Sequence, residues 1–422
     1  MLDLDDEARA LALCADDERP ARAAALRAQA RAAGVYPASI GPIYRALAEG
    51  RERGFTVPAF NLRGLTYDLA RAIWQAALGL DAGPIIFELA PSEAETGRQP
   101  FDEFVALALA AALREGYRGP AFFQGDHFRI ATADPAGSPG FLDRCREALA
   151  AGMRQIDLDA GSLTGPDDGP EGQATSARTS AVATGLVRAL ATADLDLVIG
   201  AEVGEIGGRN TTPRQLQSFM EGYLAALAPG TRGMDKISVQ TGTAHGGIVS
   251  ASGSLERMPL DLELVARLST LARASYGLPG LVQHGASTLA VEQLGALPGA
   301  GVCEVHLATQ IQNLVFDHPA FPAALRAQMI ERVPLMVAEA EHGPGAGSAA
   351  GSEQSSPAQR FYQGRWLCWG AFKADLWGLP EATRSAFREA LADWAREIMQ
   401  ALQIAGRRAL LDGFPAARVG RG

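Results

Sequence analysis

Lysine is nearly absent from this 422-residue chain: only Lys236 and Lys373 occur, and arginine supplies the rest of its 38 basic side chains. Chemistry built on a lysine Schiff base therefore has two candidates, and Lys236 opens a predicted strand, at the end away from where barrel active sites form. Cysteine is sparse and scattered. Cys14, Cys145, Cys303 and Cys368 share no Cys-x-x-Cys spacing, so neither a thiolate metal site nor a disulfide framework is supported. No apolar run reaches the ~18 residues that a membrane-spanning helix needs. The opening, Met1-Leu2-Asp3-Leu4-Asp5-Asp6-Glu7, is acidic where a secretory signal is basic, and we expect a cytoplasmic protein. With 48 acidic groups the formal net charge is −10, which argues against nucleic acid or an anionic membrane as partner.

What remains is an ordinary globular composition, 47% apolar and 20% charged, able to bury a large core. From about residue 54, short β-rich runs alternate with longer helical segments. The runs are Thr56–Asn61, Pro84–Leu89, Ala121–Gly125, Met153–Leu158, Leu197–Val203, Lys236–Thr241, Gly280–Gln283 and Val302–Leu307. Eight strands, each followed by a helix, predict an α/β chain folded as a (β/α)8 TIM barrel. The alternative, an open doubly wound sheet, lacks the Gly-x-Gly-x-x-Gly that would follow its first strand. We expect an N-terminal helical extension over 1–40, the barrel over 41–320, a glycine- and serine-rich flexible linker over 343–358, and a C-terminal helical extension over 359–422. Trp366, Trp369 and Trp377 in that last segment must pack on the barrel or on another subunit.

Six histidines occur, and four of them, His127, His245, His284 and His306, fall at the C-terminal ends of predicted strands. Catalytic groups converge at that rim of a barrel, because all the βα loops open there. Three neutral imidazoles, from His127, His245 and His284, leave one tetrahedral position open, the arrangement of a catalytic zinc site. Asp126 adjoins His127, where a carboxylate either acts on substrate as general acid/base or orients the ligand histidine. Asp157 and Asp159 end a strand and are read as facing the rim. Glycines around the histidines, Gly246 and Gly285 among them, leave room and backbone N–H groups for an anionic ligand.

These motifs resemble the class II, metal-dependent fructose- and tagatose-bisphosphate aldolases, in order from about residue 41 to residue 316. Val57-Pro58-Ala59-Phe60-Asn61 is similar to the family's opening strand, and Asp126-His127 to its Asp-His pair. Ala201-Glu202-Val203-Gly204 with Gly207-Gly208 resembles Glu-x-Glu-Leu-Gly-x-x-Gly-Gly, with Gly200 where the family has its first Glu. Asp235 through Gly246 resembles Asp-x-Leu-Ala-Val-x-x-Gly-Thr-x-His-Gly, and Leu281 through Ser287 resembles Leu-Val-Leu-His-Gly-Gly-Ser. The resemblance implies reversible aldol cleavage of a ketose (bis)phosphate or related sugar in carbohydrate metabolism. Zn2+ is held by His127, His245 and His284, with Glu202 as an alternative ligand or acid, and a monovalent cation is a further expectation. Asp126 handles the proton of the hydroxyl at the cleaved bond. Asn61 orients substrate, Ser287 contacts phosphate, and a homo-oligomer is expected.

The departures are local. The family carries acidic residues after its Gly-Gly, one of which moves the proton on the carbanion carbon; here Arg209-Asn210 stand there, and Glu205 is the substitute candidate. The family's last strand reads Lys-Ile-Asn-x-x-Thr-Asp, whereas this chain has Glu304-Val305-His306-Leu307-Ala308-Thr309-Gln310, so Thr309 survives and an asparagine has become His306. His306 is either a substrate contact or a hydrogen-bonded core residue. The non-catalytic partner subunit of tagatose-bisphosphate aldolase, which has similar length and shares a turn like Gly125-Asp126-His127, is the alternative to an enzyme.

Overall fold

In a computed structural model, which describes residues 3–165, 169–192, 195–204, 210–242, 260–341 and 357–414, nine strands form one parallel sheet. They are β1 Val35–Ala38, β2 Val57–Asn61, β3 Ile86–Leu89, β4 Gly119–Arg129, β5 Gln155–Asp159, β6 Val198–Val203, β7 Lys236–Val239, β8 Leu281–Gln283 and β9 Val302–Leu307. The order β1-β4-β3-β2-β9-β8-β7-β6-β5, with β4 also paired to β5, closes β2 through β9 into an eight-stranded barrel. All eight expected runs are strands of this barrel, and the open sheet is excluded.

The register explains the inward face. Glu88 stands opposite Asn61 and Gln124, Gly200 opposite Asp157 and Lys236, and Glu304 opposite Val57. Alternate residues of a strand share a face, so these side chains fill the barrel while neighbours such as Phe60 and Phe87 pack outward. β1 is an addition. It pairs with Gly119–Phe122 of β4, below the stretch of β4 that pairs with β5. From the helix Gly41–Ala48, the fully buried Tyr44 hydrogen-bonds Glu304 inside the barrel.

The N-terminal segment forms the helices Leu4–Leu13 and Arg19–Ala32, which pack on the helix Phe101–Arg114. At the other end of the chain, the helix Glu381–Ala401 lies between the helices Thr66–Gly79 and Val291–Ala300, the place that an eighth outer helix takes in such a barrel. Trp394 meets Phe60 of β2 edge to face, with ring centroids 6.1 Å apart. The strands are therefore complete by residue 307, but the outer ring draws on a segment that the sequence reading placed outside the barrel.

The C-terminal tryptophans pack on the barrel. Trp369 donates to Gln312 Oε1 (3.1 Å) and stacks near Phe316, and Trp377 donates to the carbonyl of Gly64 (3.1 Å). Gly64 has φ 68° and a Cβ there would lie 2.3 Å from the Trp369 ring, so only glycine fits. Trp366 is half-buried. After Ala401 the chain returns to the opposite end: Leu402 and Ile404 carbonyls accept from the amides of Thr56 and Gly83. No helix among the described residues is long and apolar enough to cross a membrane.

Candidate active site

A bulge sets the first two site residues. β4 pairs with β5 through Gly125↔Ile156 and resumes at Phe128↔Leu158, so Asp126 and His127 together stand opposite Asp157 alone. Such a bulge breaks the alternation and re-aims side chains. His127 adopts φ 46°, a left-handed conformation that costs a non-glycine residue roughly 1–2 kcal/mol. The result places His127 Nδ1 2.9 Å from Glu202 Oε1, on β6, and His127 Nε2 3.6 Å from Asp126 Oδ2. His284 follows β8 directly; its Nε2 lies 3.8 Å from the same Glu202 oxygen and 3.1 Å from Ser238 Oγ.

Asp126, His127, Glu202 and His284 each offer a ligand atom, and these atoms all lie within 4.8 Å of one another. Asp126 Oδ1 and Glu202 Oε1 are buried and make no well-directed hydrogen bond. An unsatisfied buried polar atom costs about 1–3 kcal/mol, and more when charged, so a cation is the natural partner. The nitrogen and oxygen donors suit a borderline divalent ion such as Zn2+, and the residues fit it. Burial pushes the Glu202 carboxyl up to about 7 despite the imidazole of His127. Burial also raises Asp126, but His127 and His306 outweigh it and hold this carboxyl well below the usual range.

Under this group lies a second polar layer. Lys236 Nζ is completely buried and donates to Gln124 Oε1 (2.6 Å), Asp157 Oδ2 (2.9 Å) and Glu304 Oε1 (2.6 Å). Burial raises Asp157 to about 6, whereas Lys236 and His306 overcome burial and hold Glu304 at about 2. Asp157 thus points into the barrel interior and pairs with Lys236, a correction to its expected place at the rim; Asp159 lies nearer the mouth, 3.8 Å from His127 Nδ1. This layer also explains Gly200. A Cβ there would come within 2.2 Å of Asp157 Oδ1 and 3.0 Å of Lys236 Cε, so the ion pair leaves no room for a side chain at this position.

The remaining predicted residues are placed unevenly. Asn61 is buried with both ends engaged: Nδ2 donates to Glu93 Oε2 and Oδ1 accepts from Arg63 Nε, each at 2.8 Å. Ser287 Oγ accepts from the amide of Ala308 (2.7 Å), just before Thr309 begins a helix. Gly285, at φ 69°, sits between His284 and a short 3-10 turn. His306 is buried against His284, with ring centroids 4.1 Å apart. Glu205, His245 and Gly246 lie outside the described residues, as do 343–356 of the expected linker. Sequence reasoning missed Glu88, Gln124 and Glu304. Their signal was a polar residue at an inward position of an otherwise apolar strand.

A parallel eight-stranded barrel with histidines and carboxylates gathered at the carboxyl ends of its strands has the layout of the barrel enzymes. The sequence model of one family, Fructose-bisphosphate aldolase class-II, matches residues 42–342, and the chain belongs to the class II fructose-bisphosphate aldolase family. Among solved structures, the YdjI aldolase from Escherichia coli K12 shares the fold with TM-score 0.51 and 16% identity, over 88% of this chain and 99% of that one. A fructose-bisphosphate aldolase from Campylobacter jejuni is similar at TM-score 0.50 and 18% identity, over 88% and 96%.

Proposed function

We propose that this protein is a metal-dependent aldolase that reversibly cleaves a carbon–carbon bond in a ketose phosphate or a related sugar. The observation that carries the reading is the convergence of Asp126, His127, Glu202 and His284 with unsatisfied buried oxygens, on a barrel of this family. His127 and His284 hold the cation, Zn2+ by its donor set, with His245 as the third imidazole and Glu202 as the alternative ligand. Bound there, the ion polarises the substrate ketone and offsets the charge left on carbon when the bond breaks. Asp126, held ionised by the imidazoles beside it, accepts the proton of the hydroxyl at the cleaved bond as that hydroxyl becomes a carbonyl and turns acidic. Glu202 is the reserve acid beside the ligands, and Glu205 is our candidate for the carbanion proton. Backbone N–H groups around Gly246 and Gly285, with Ser287 and Thr309, make up the phosphate end, while Asn61 holds the rim through Glu93 and Arg63.

Both lysines support the metal route. The ammonium of Lys236 is held by three oxygen acceptors and that of Lys373 by Glu103 and the Arg98 carbonyl, so neither presents a free amine. A non-catalytic partner subunit has no use for buried, unsatisfied ligand atoms, which weighs against that alternative. The test is metal analysis of purified protein followed by cleavage assays on a panel of ketose phosphates. Binding of a divalent ion with turnover of at least one panel member is expected; metal-free protein with no turnover on any would overturn the assignment.

A further inference from the structure

Glu88, Asp126 and His306 form a second group that shares Asp126 with the first, again with one ligand atom from each within 4.8 Å of the others. His306 Nδ1 lies 3.2 Å from Glu88 Oε2 and 3.3 Å from Asp126 Oδ1. Donors held ~2.0–2.2 Å from a tetrahedral ion stand roughly 3.3–3.6 Å apart, so the spacing is close to that of a coordination sphere. We propose that Glu88, Asp126 and His306 bind a second divalent cation, sharing Asp126 with the first site.

Three further observations support it. Asp126 Oδ1 and His306 Nδ1 are buried without a well-directed hydrogen bond, on residues each 4% exposed; of Glu88, 1% exposed, Oε1 is likewise unsatisfied while Oε2, the oxygen nearer His306, accepts from Gln124 Nε2 (3.0 Å). The other imidazole nitrogen is fixed: His306 Nε2 sits 2.6 Å from Glu304 Oε1, itself anchored by Lys236 and Tyr44. With its proton on Nε2 and donated to that carboxylate, the ring turns the Nδ1 lone pair toward two more carboxylates; Gln124 Nε2 lies 3.1 Å from the same Nε2. That is the carboxylate–histidine–metal arrangement. Charge is the third. Glu88, Asp126, Asp157 and Glu304 are four buried carboxylates, and the side chains able to carry positive charge in ion-pair range of them, among the described residues, are Lys236, His127 and His306. A divalent ion on His306 Nδ1 would put two charges where an imidazolium puts one, in exchange for a proton.

Asp126 is oriented for sharing, with Oδ1 toward His306 and Oδ2 toward His127. Coordination of Oδ1 would leave Oδ2 as the one basic oxygen, held at the mouth. The sharing rests on the first-site reading; the second site itself does not.

The experiment uses the full chain, stripped of metal and reloaded with Co2+ alone, with bound equivalents counted and anomalous scattering recorded from crystals. Two equivalents are expected, with one peak between Glu88, Asp126 and His306. His306→Asn should lose that equivalent and keep the other, and Glu88→Gln does the same should His306→Asn fail to fold. Saturation at one equivalent, with no peak among these three residues, overturns the proposal and leaves a proton on Nδ1 in the ion's place. If two equivalents bind and His284→Ala retains both, the first-site reading fails while the second site stands.

Discussion

Glu103 and Glu202 are both buried to within 1% of complete, and burial raises both carboxyls to about 7. Their neighbours differ. The two oxygens of Glu103 accept from Lys373 Nζ at 2.7 and 2.9 Å, and Arg19 Nε stands 3.3 Å away. Lys373 belongs to the C-terminal segment and Arg19 to the N-terminal one, so this carboxylate fastens both ends of the chain to the barrel helix Phe101–Arg114. Glu202 instead faces two imidazoles, from His127 and His284, with Oε1 unsatisfied. Burial and acidity alone do not separate a fastening from a site. What separates them is whether the partners are fixed cations or ligand atoms converging on a point.

The sharpest way to break this distinction is at the mouth. Asp126→Ala should reduce kcat by about 10²–10⁴-fold, the usual worth of a general acid or base, while the ion held by His127 and His284 stays bound. Loss of that ion, as with His127→Ala, would assign Asp126 to orienting the ligand instead. At the fastening the effect should fall on stability. Glu103→Ala, which removes both acceptors of Lys373 Nζ and leaves it buried, should cost about 3 kcal/mol in denaturant unfolding, with turnover per folded molecule unchanged. The double variant Glu103→Leu with Lys373→Met should recover to within about 1 kcal/mol of the parent.

A smaller effect is the pH dependence. The folded pKa of Glu103, about 7, exceeds its ordinary value of 4.5, so between these values the folded chain binds more protons than the unfolded one. Stability from this group therefore declines as pH rises from about 4.5 to 7 and is level above. Melting curves across that window should show the decline in the parent and a shallower one in Glu103→Gln; equal slopes would remove Glu103 from the account. Smallest is Ser287→Ala, which removes an acceptor from the Ala308 amide and should cost about 1 kcal/mol. A loss of affinity for ketose phosphate beyond that stability change would show that the hydroxyl also contacts substrate.

Much of the fold was legible because barrel strands are short apolar runs between helices, and β2, β3, β6 and β9 lie where those runs lie. β4 extends to Arg129 rather than Gly125 because its bulge interrupts the alternation that marks a strand. β1 was missed: Val35-Tyr36-Pro37-Ala38 carries a proline, which argues against a strand unless it is an edge, and here it is one. The eighth outer helix was hidden because pattern alone does not say which of Ala323–Glu341 and Glu381–Ala401 docks beside β2. At the site, His127 and His284 were picked out from strand ends, Asp126 as the neighbour of His127, and Glu202 through the family resemblance. Depth was not. Residues two apart share a face but lie in different layers, so Asp157 was read at the rim when Lys236 holds it below, and Glu88 and Glu304 were given no role.

The helix Glu381–Ala401 also sets a timetable for synthesis. Phe60 emerges early, yet its outward ring is covered by Trp394, and the Thr56 amide is paired by Leu402. At about 5–20 residues per second, the ribosome needs roughly 20–70 s to deliver Trp394 after Phe60. For that interval one flank of the nascent barrel is bare and apolar. A chain ended before residue 381 should therefore aggregate where the full chain does not, which light scattering of the two products checks.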